Sequence, residues 1–132
     1  MQAIDTNVLV RYMVRDDAEI VQVNKADKIM SNFTEDNPAL INPVILCEFI
    51  WVCFDCYAYY KPDILDALKK ILSTVSFRFI EHEVLWKAYY DYSKGSADFS
   101  DYYIGLLNKK NGATETITFD KKAGQAIYFM YK

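Results

Sequence analysis

The sequence predicts an α/β fold, in which a mostly parallel sheet carries helices on both faces. The chain has 132 residues, of which 52% are hydrophobic, and this suits one globular domain with a sizeable core. Short apolar runs alternate along the chain with longer segments whose apolar residues recur at helical spacing. No internal repeat, low-complexity stretch or domain boundary is visible, so we expect a single domain over residues 1–132.

The first elements are a short strand and two helices. Residues 2–4 form an apolar-leaning run, and Asp5 follows it, so Asp5 lies at the carboxyl end of a strand. Thr6 or Asn7 can cap the next helix, and the acidic pair at residues 16 and 17 can open a second one.

The middle of the chain repeats this order. Residues 39–41 are a second apolar run, and the pair Asn42-Pro43 provides an N-cap followed by proline at the first helical position. Glu48 therefore lies on the second turn of that helix. Another helix starts at residue 61, and residues 77–80 supply a third strand.

The last third of the chain contains the loop at residues 94–100, which is rich in small and polar residues. A helix over residues 81–93 precedes this loop, and Asp101 follows it directly before another helix. Asp120 closes a β-rich segment as Asp5 closes the first strand. Two strands are expected in this part, at residues 116–119 and 127–131.

Four acids are expected at one edge of the sheet, where parallel sheets bind their ligands. They are Asp5, Glu48, Asp101 and Asp120. Two such charges about 4 Å apart repel by roughly 4 kcal/mol at an effective dielectric constant near 20, so the arrangement requires protons or cations. Oxygen ligands without histidine or thiolate favour Mg²⁺ or Mn²⁺, which activate water for phosphodiester hydrolysis.

Each acid also has a simpler interpretation. Asp5 and Asp101 can be plain helix caps, and Asp120 can be a turn residue. Glu48 differs, because its neighbours in the helix are nearly all apolar and an ionised glutamate in such a setting needs a partner or a metal.

Four motifs in this order resemble the PIN domain (PilT N-terminus), and especially the VapC-type toxins of toxin–antitoxin pairs. They are Ile4-Asp5-Thr6-Asn7-Val8-Leu9-Val10-Arg11-Tyr12, Ile41-Asn42-Pro43-Val44 leading to Glu48, Asp98-Phe99-Ser100-Asp101, and Thr118-Phe119-Asp120. The resemblance covers essentially the whole chain. It implies a three-layer α/β/α sandwich and a Mg²⁺-dependent endoribonuclease for structured RNA such as tRNA, with Mn²⁺ able to substitute. It also implies a homodimer that a small cognate antitoxin neutralises.

The resemblance assigns roles to individual residues. Asp5, Glu48 and Asp101 match the three principal metal-binding acids of the family, and Asp120 matches the fourth. Asn7 and Thr118 match supporting polar positions, with Thr6 beside Asn7. Asp98 competes with Asp101 for one position, and Asp101 is the better match because it is expected directly before the helix. Basic residues that flank these motifs are candidates for phosphate contacts, although a plain solvated cation is the favoured interpretation of each: Arg11, Lys94, Lys121 and Lys122.

The remaining features bear on location and partners. Three cysteines cannot all pair within the chain, which favours free thiols and a reducing compartment, so we expect a cytoplasmic protein. No secretory signal is visible, and the longest apolar stretch, residues 43–53, is too short for a membrane helix. The helix over residues 43–60 is so apolar that part of it is expected to pack against a second subunit or the antitoxin.

Two alternatives to a nuclease remain open. The first is a non-catalytic protein-binding module, whose acids cap helices and whose apolar helix docks a partner. The second is a phosphoacceptor domain of receiver type, which needs an acidic pair near the end of the first strand. The pair at residues 16 and 17 comes too late for that role. The clustered tyrosines allow either base stacking or core and dimer packing.

Overall fold

The computed structural model describes residues 1–132 and contains both helices and short parallel strands. More than half of the residues are helical, and every paired strand runs parallel to its neighbour. The chain divides into two compact units, Met1–Ile80 and Glu81–Lys132. The mixture of helices with parallel strands that the sequence predicts is therefore confirmed, and the strands form two small sheets.

The first unit contains a three-stranded parallel sheet in the order β1-β2-β3. Its elements are β1 (Gln2–Ala3), α1 (Thr6–Met13), a 3₁₀ turn (Asp17–Glu19), α2 (Ile20–Met30), β2 (Ala39–Ile41), α3 (Pro43–Tyr57), α4 (Lys61–Leu72) and β3 (Phe77–Phe79). The central strand β2 pairs with both others, with Ala39 opposite Phe77 and Ile41 opposite Phe79. Its two inward residues are fully buried, as expected for the middle strand of a parallel sheet.

The helix α3 begins as the sequence predicts, and Glu48 lies on its second turn. The Asn42 Oδ1 atom accepts a hydrogen bond from the Val44 N–H at 2.9 Å, and Pro43 occupies the first turn. One face of the helix packs into the core through Leu46, Phe49, Ile50 and Cys53. Each large apolar side chain buried in this way stabilises the fold by about 1.5–3 kcal/mol.

The start of α1 differs from the prediction. We expected Thr6 or Asn7 to cap this helix, with Asp5 as a cap in the simpler interpretation of that acid; the helix begins at Thr6 and Asp5 is its N-cap, so the simpler interpretation holds at this position. The Asp5 Oδ1 atom accepts a hydrogen bond from the Thr6 N–H at 2.7 Å. Asp5 follows β1 closely, as expected, and its carboxylate also caps α1.

The second unit pairs two helices with a two-stranded parallel sheet. Its elements are α5 (His82–Lys94), α6 (Phe99–Lys110), β4 (Thr116–Thr118), a 3₁₀ turn (Ala123–Gln125) and β5 (Phe129–Tyr131). The two helices pack against each other, and the rings of Tyr92 and Phe99 meet edge to face with centroids 6.1 Å apart. Gly105 on α6 lies so close to Phe129 that an added Cβ would come within 2.8 Å of its ring.

The start of α6 also corrects the prediction. We expected Asp101 directly before the helix, but the helix begins at Phe99, so Asp98 is the N-cap and Asp101 lies in the first turn. The Asp101 Oδ2 atom accepts a hydrogen bond from the Asp98 N–H at 3.0 Å. Asp98 and Asp101 are the N-cap and the third residue of a capping box. The helix therefore begins within the segment that we expected to be a loop.

None of the helices combines the length and the apolar character that a membrane-spanning helix needs.

Candidate functional site

Two predicted acids meet at one cavity of the first unit. Asp5 is held at the N-terminus of α1, and Glu48 projects from the second turn of α3. The cavity has a volume of about 320 Å³, and its lining includes Asp5, Thr6, Asn7 and Glu48. The Thr6 Oγ1 atom lies 3.3 Å from the Glu48 Oε1 atom and donates a hydrogen bond to it. The first unit thus brings together two of the predicted acids and both of the polar residues expected beside them.

The setting of Glu48 is more polar than the sequence indicated. We expected an acid among apolar neighbours, but the apolar residues of α3 are divided between its faces and Glu48 is exposed. The Thr6 hydroxyl is the hydrogen-bond partner of Glu48, which the sequence did not identify. This contact joins residues 42 positions apart, so no local pattern could reveal it.

Arg11 is the one predicted basic residue that lines the same cavity as Asp5 and Glu48. Its guanidinium group is fixed on two sides, because Nε donates to Gln22 Oε1 at 2.8 Å and Nη1 donates to the Tyr57 hydroxyl at 2.8 Å. Burial raises the pKa of Tyr57, and its hydroxyl donates in turn to Asp16 at 2.9 Å. The Arg11 Nη2 atom also forms an ion pair with the Glu19 Oε1 atom at 3.8 Å, so Glu19 balances part of the positive charge that Arg11 brings to the cavity.

Three further acids lie in the second unit, at the start of α6 and after β4. The Lys122 Nζ atom forms an ion pair with the Asp98 Oδ1 atom at 2.9 Å. The Asp120 Oδ1 atom accepts a hydrogen bond from the Lys122 N–H at 2.9 Å, and the Thr118 Oγ1 atom accepts one from the Asp120 N–H at 3.0 Å. Lys122 therefore neutralises part of the charge of these acids, and Thr118 accepts a hydrogen bond from the backbone of Asp120.

The carboxylates of the second unit influence one another electrostatically. Burial raises the pKa of the Asp101 carboxyl, and the negative charges of Asp98 and Asp120 raise it further. The Asp98 N–H and the Lys122 ammonium group act in the opposite direction. The hydrogen bond to Asp98 raises the pKa of Lys122, so its positive charge is retained. A cation near Asp101 would relieve this repulsion, and Lys122 supplies one such charge.

The donor chemistry fits a hard divalent cation. Asp5 and Glu48 supply carboxylate oxygens at a shared cavity, and Mg²⁺ commonly binds through one or two carboxylates together with water and substrate phosphates. No group of three or more histidine, cysteine, aspartate or glutamate side chains lies close enough together to hold a metal ion by itself. Within the first unit, Asp5 and Glu48 supply two carboxylates at one cavity, fewer than such a group contains.

Two predicted basic residues take no part in these interactions. Lys94 ends α5 and Lys121 follows Asp120, and both are exposed. They remain candidates for phosphate contacts on sequence position alone.

All three cysteines are free thiols, as the sequence predicts. Burial raises the pKa of Cys53 to about 12 and that of Cys47 to about 11, so both are protonated at neutral pH. Cys53 and Cys56 have the Cys-x-x-Cys spacing that is typical of redox sites. Both lie within α3, and Cys53 is part of the core. A protonated, buried thiol is a poor nucleophile, which argues against a redox role for this pair.

No family model matches the chain, and none of the curated proteins matches its sequence.

Proposed function

We propose that the protein is a Mg²⁺-dependent endoribonuclease of PIN type, the toxin of a VapC-like toxin–antitoxin pair, which hydrolyses phosphodiester bonds in structured RNA such as tRNA. The observation that carries the proposal is the meeting of Asp5 and Glu48 at one cavity with Thr6 and Arg11. The three-layer α/β/α sandwich over residues 1–132 and a cytoplasmic location belong to the same proposal.

The residues of the first unit have distinct roles in this proposal. Asp5 and Glu48 would hold the divalent ion, with Asp101 and Asp120 as the further acids that the family resemblance implies. The ion would lower the pKa of a coordinated water and offset charge on the leaving oxygen. The Thr6 hydroxyl donates a hydrogen bond to the Glu48 carboxylate and so favours the orientation that faces the cavity residue Thr6. Arg11, held by Gln22 and Tyr57, is placed to contact a substrate phosphate.

The exposed face of α3 supports a homodimer. Val44, Cys47, Trp51 and Phe54 follow one another at alternating spacings of three and four residues; Cys47 is half-buried and the other three are exposed, Trp51 by 63%. Such spacing places the four side chains along one stripe of the helix, as in helices that pack against a second helix. We assign this stripe to a second copy of the chain, and a small antitoxin completes the proposed set of partners.

A non-catalytic protein-binding module is the second candidate. The same apolar stripe favours it, and so does the absence of a three-residue metal cluster. In that case Asp5 and Asp98 serve only as the helix caps seen in the structure. The two candidates differ in one measurable property, which is specific binding of a divalent cation through Asp5.

The first experiment is cleavage of a total tRNA and rRNA pool by the purified protein with Mg²⁺, with Mn²⁺ and with EDTA. Asp5→Asn and Glu48→Gln each remove a charge at the cavity. Asp55→Asn is the matched control, because it removes an exposed acid from the same helix as Glu48. We expect discrete fragments that vanish with EDTA and fall roughly 100-fold or more with either cavity variant, since a metal ion stabilises the transition state by several kcal/mol.

Binding of Mn²⁺, followed by the loss of its free-ion electron paramagnetic resonance signal, separates the candidates. Cleavage that persists in EDTA, or that Asp55→Asn lowers as much as Glu48→Gln does, would contradict the proposed site. Absence of both cleavage and Mn²⁺ binding would favour the binding module. Mn²⁺ binding through Asp5 without cleavage would retain the metal site and reject the RNA pool as the substrate.

A further inference from the structure

Three aromatic side chains of α5 form a column on the surface of the second unit. His82, Trp86 and Tyr90 are spaced four residues apart, so they lie above one another on one side of the helix. The ring centroids of His82 and Trp86 are 6.3 Å apart, and those of Trp86 and Tyr90 are 6.0 Å apart with the ring planes inclined by only 28°. Tyr89 packs edge-on against Trp86 and Tyr90 at 5.6 and 5.5 Å. We call His82, Trp86 and Tyr90 the aromatic column.

The aromatic column is not the core face of the helix. The core face of α5 consists of Val84, Leu85, Ala88 and Tyr92, which are buried. Tyr90, by contrast, is 56% exposed, and His82 is also exposed. Trp86, between them, is half-buried. Rings that already contact one another lose little conformational freedom when a further flat ring is added, so the exposed ends of the column favour such a ligand.

A basic groove lies along the adjacent side of the same helix. Its cavity has a volume of about 280 Å³, and the charged residues that line it are Lys87, Lys109, Lys110 and Glu83. Lys110 is paired with Glu81, whereas the Lys109 Nζ atom lies over the ring of Tyr128, 5.2 Å from its centroid. Lys87 of the groove and Tyr90 of the column are three residues apart on α5, a spacing that makes them neighbours on the helix surface.

We infer that the aromatic column and the basic groove together bind an unpaired stretch of RNA. The bases stack on the rings of the column, and Lys87 and Lys109 contact the phosphates. Proteins that bind single strands combine these two features, a positively charged groove and aromatic rings on which bases stack. The inference rests on the proposed function for the choice of RNA, but it uses none of the metal-binding acids.

Charge distinguishes this ligand from a protein partner. The groove presents three lysines against one glutamate, and Glu81 neutralises only one of the three. The stripe on α3 that we assign to a second copy of the chain has no basic residue among its four members. A ligand that is both flat and negatively charged along its backbone complements the α5 surface better than an apolar helix does.

The two parts of the surface have different expected signatures. Two phosphate contacts give a slope of about −1.4 when the logarithm of the affinity is plotted against the logarithm of the salt concentration, at about 0.7 for each contact with a single strand. Lys87→Ala should therefore bring this slope to about −0.7. Tyr90→Ala should weaken binding about tenfold and leave the slope unchanged, because stacking does not release counterions.

The test is fluorescence anisotropy of a labelled eight-nucleotide oligouridine with the full chain, in EDTA so that metal-dependent cleavage does not interfere. Tyr60→Ala is the matched control for Tyr90→Ala, since Tyr60 is 76% exposed and lies in the first unit. Lys69→Ala, an exposed residue of α4, is the control for Lys87→Ala. Circular dichroism verifies that each variant is folded.

Tryptophan fluorescence gives a second readout. The chain has two tryptophans, Trp51 and Trp86, so Trp51→Phe leaves Trp86 as the only one. Its emission should be quenched when oligouridine saturates the protein. The inference is overturned if the emission does not change, if Tyr90→Ala binds as tightly as Tyr60→Ala, or if Tyr90→Ala changes the molecular mass in solution, since the column would then be a protein interface.

Failure of this inference and failure of the proposed function give different results. Oligouridine binding that depends on Tyr90 and Lys87, in a protein without metal-dependent cleavage, would support the α5 surface and contradict the nuclease. Cleavage that requires Asp5, in a protein whose Tyr90→Ala variant binds oligouridine normally, would support the nuclease and contradict the α5 surface.

Discussion

Gly95 lies where α5 ends, and its lack of a side chain makes room for the ring of Tyr102. A Cβ atom added at Gly95 would lie 1.7 Å from the Tyr102 hydroxyl oxygen and 2.7 Å from its Cζ atom. The backbone of Gly95 is extended, so alanine is penalised by this collision and not by its own dihedral angles. Tyr102 is buried, and its hydroxyl accepts a hydrogen bond from the Ala97 N–H at 3.4 Å. The substitution Gly95→Ala therefore displaces the ring that supports the segment leading into Asp98.

The expected cost of Gly95→Ala follows from three contributions. Overpacking in a well-packed region costs about 1–3 kcal/mol. Losing the hydrogen bond from Ala97 adds about 1 kcal/mol. Replacing glycine by alanine lowers the conformational entropy of the unfolded chain, which raises the free energy of unfolding by about 0.5 kcal/mol. We expect a loss of about 1.5–3.5 kcal/mol in the free energy of unfolding.

Tyr102→Phe provides the test of this reasoning, because it removes the hydroxyl oxygen that causes the closest collision. Alone it should cost about 1 kcal/mol, for the lost hydrogen bond. Combined with Gly95→Ala it should cost at least about 1 kcal/mol less than the sum of the two single changes, since both act on the same contact. Urea unfolding followed by circular dichroism measures all three variants. Costs that add within about 0.3 kcal/mol would refute the steric explanation.

Two further predictions concern the helix α3. A thiol reagent at pH 8 should modify the exposed Cys56 rapidly, whereas Cys47 and Cys53 should react slowly until the protein unfolds or the pH approaches their pKa values of about 11 and about 12, which burial raises. Three fast-reacting thiols in the folded protein would contradict this. Trp51→Glu should convert the proposed dimer into a monomer without loss of helix, since it places a charge in the exposed apolar stripe. Light scattering measures the mass, and a wild-type monomer or an unchanged dimer would reject the stripe as the interface.

The sequence located most elements because their signals are local. Residues 39–41 were expected to form a strand, and the Asn42-Pro43 pair was expected to start the next helix; the structure confirms both. The placement of Glu48 on the second turn of α3 follows directly from that start. An N-cap and a proline at the first helical position act on neighbouring backbone groups only, so they can be recognised without the tertiary structure.

Both errors at helix starts have one cause. Asp5 caps α1, one residue before Thr6, which we expected as a cap. Asp98 caps α6 in a segment that we expected to be a loop. Thr6 and Asp101 are acceptable caps by residue type, so residue type alone does not decide between them and the caps that the structure uses. The geometry of the preceding strand and loop therefore determines where the helix begins.

The sequence by itself determined the alternation of helices with parallel strands, the acids and their order along the chain, since these follow from local spacing and residue type. Only the tertiary structure decided which side chains meet. The contact of Thr6 with Glu48, the placement of Arg11 by Tyr57, and the collision that fixes Gly95 opposite Tyr102 all depend on how the helices pack. Hydrogen-bond geometry and side-chain volume act over a few ångströms in space, and no spacing along the chain encodes which distant residues come within that range.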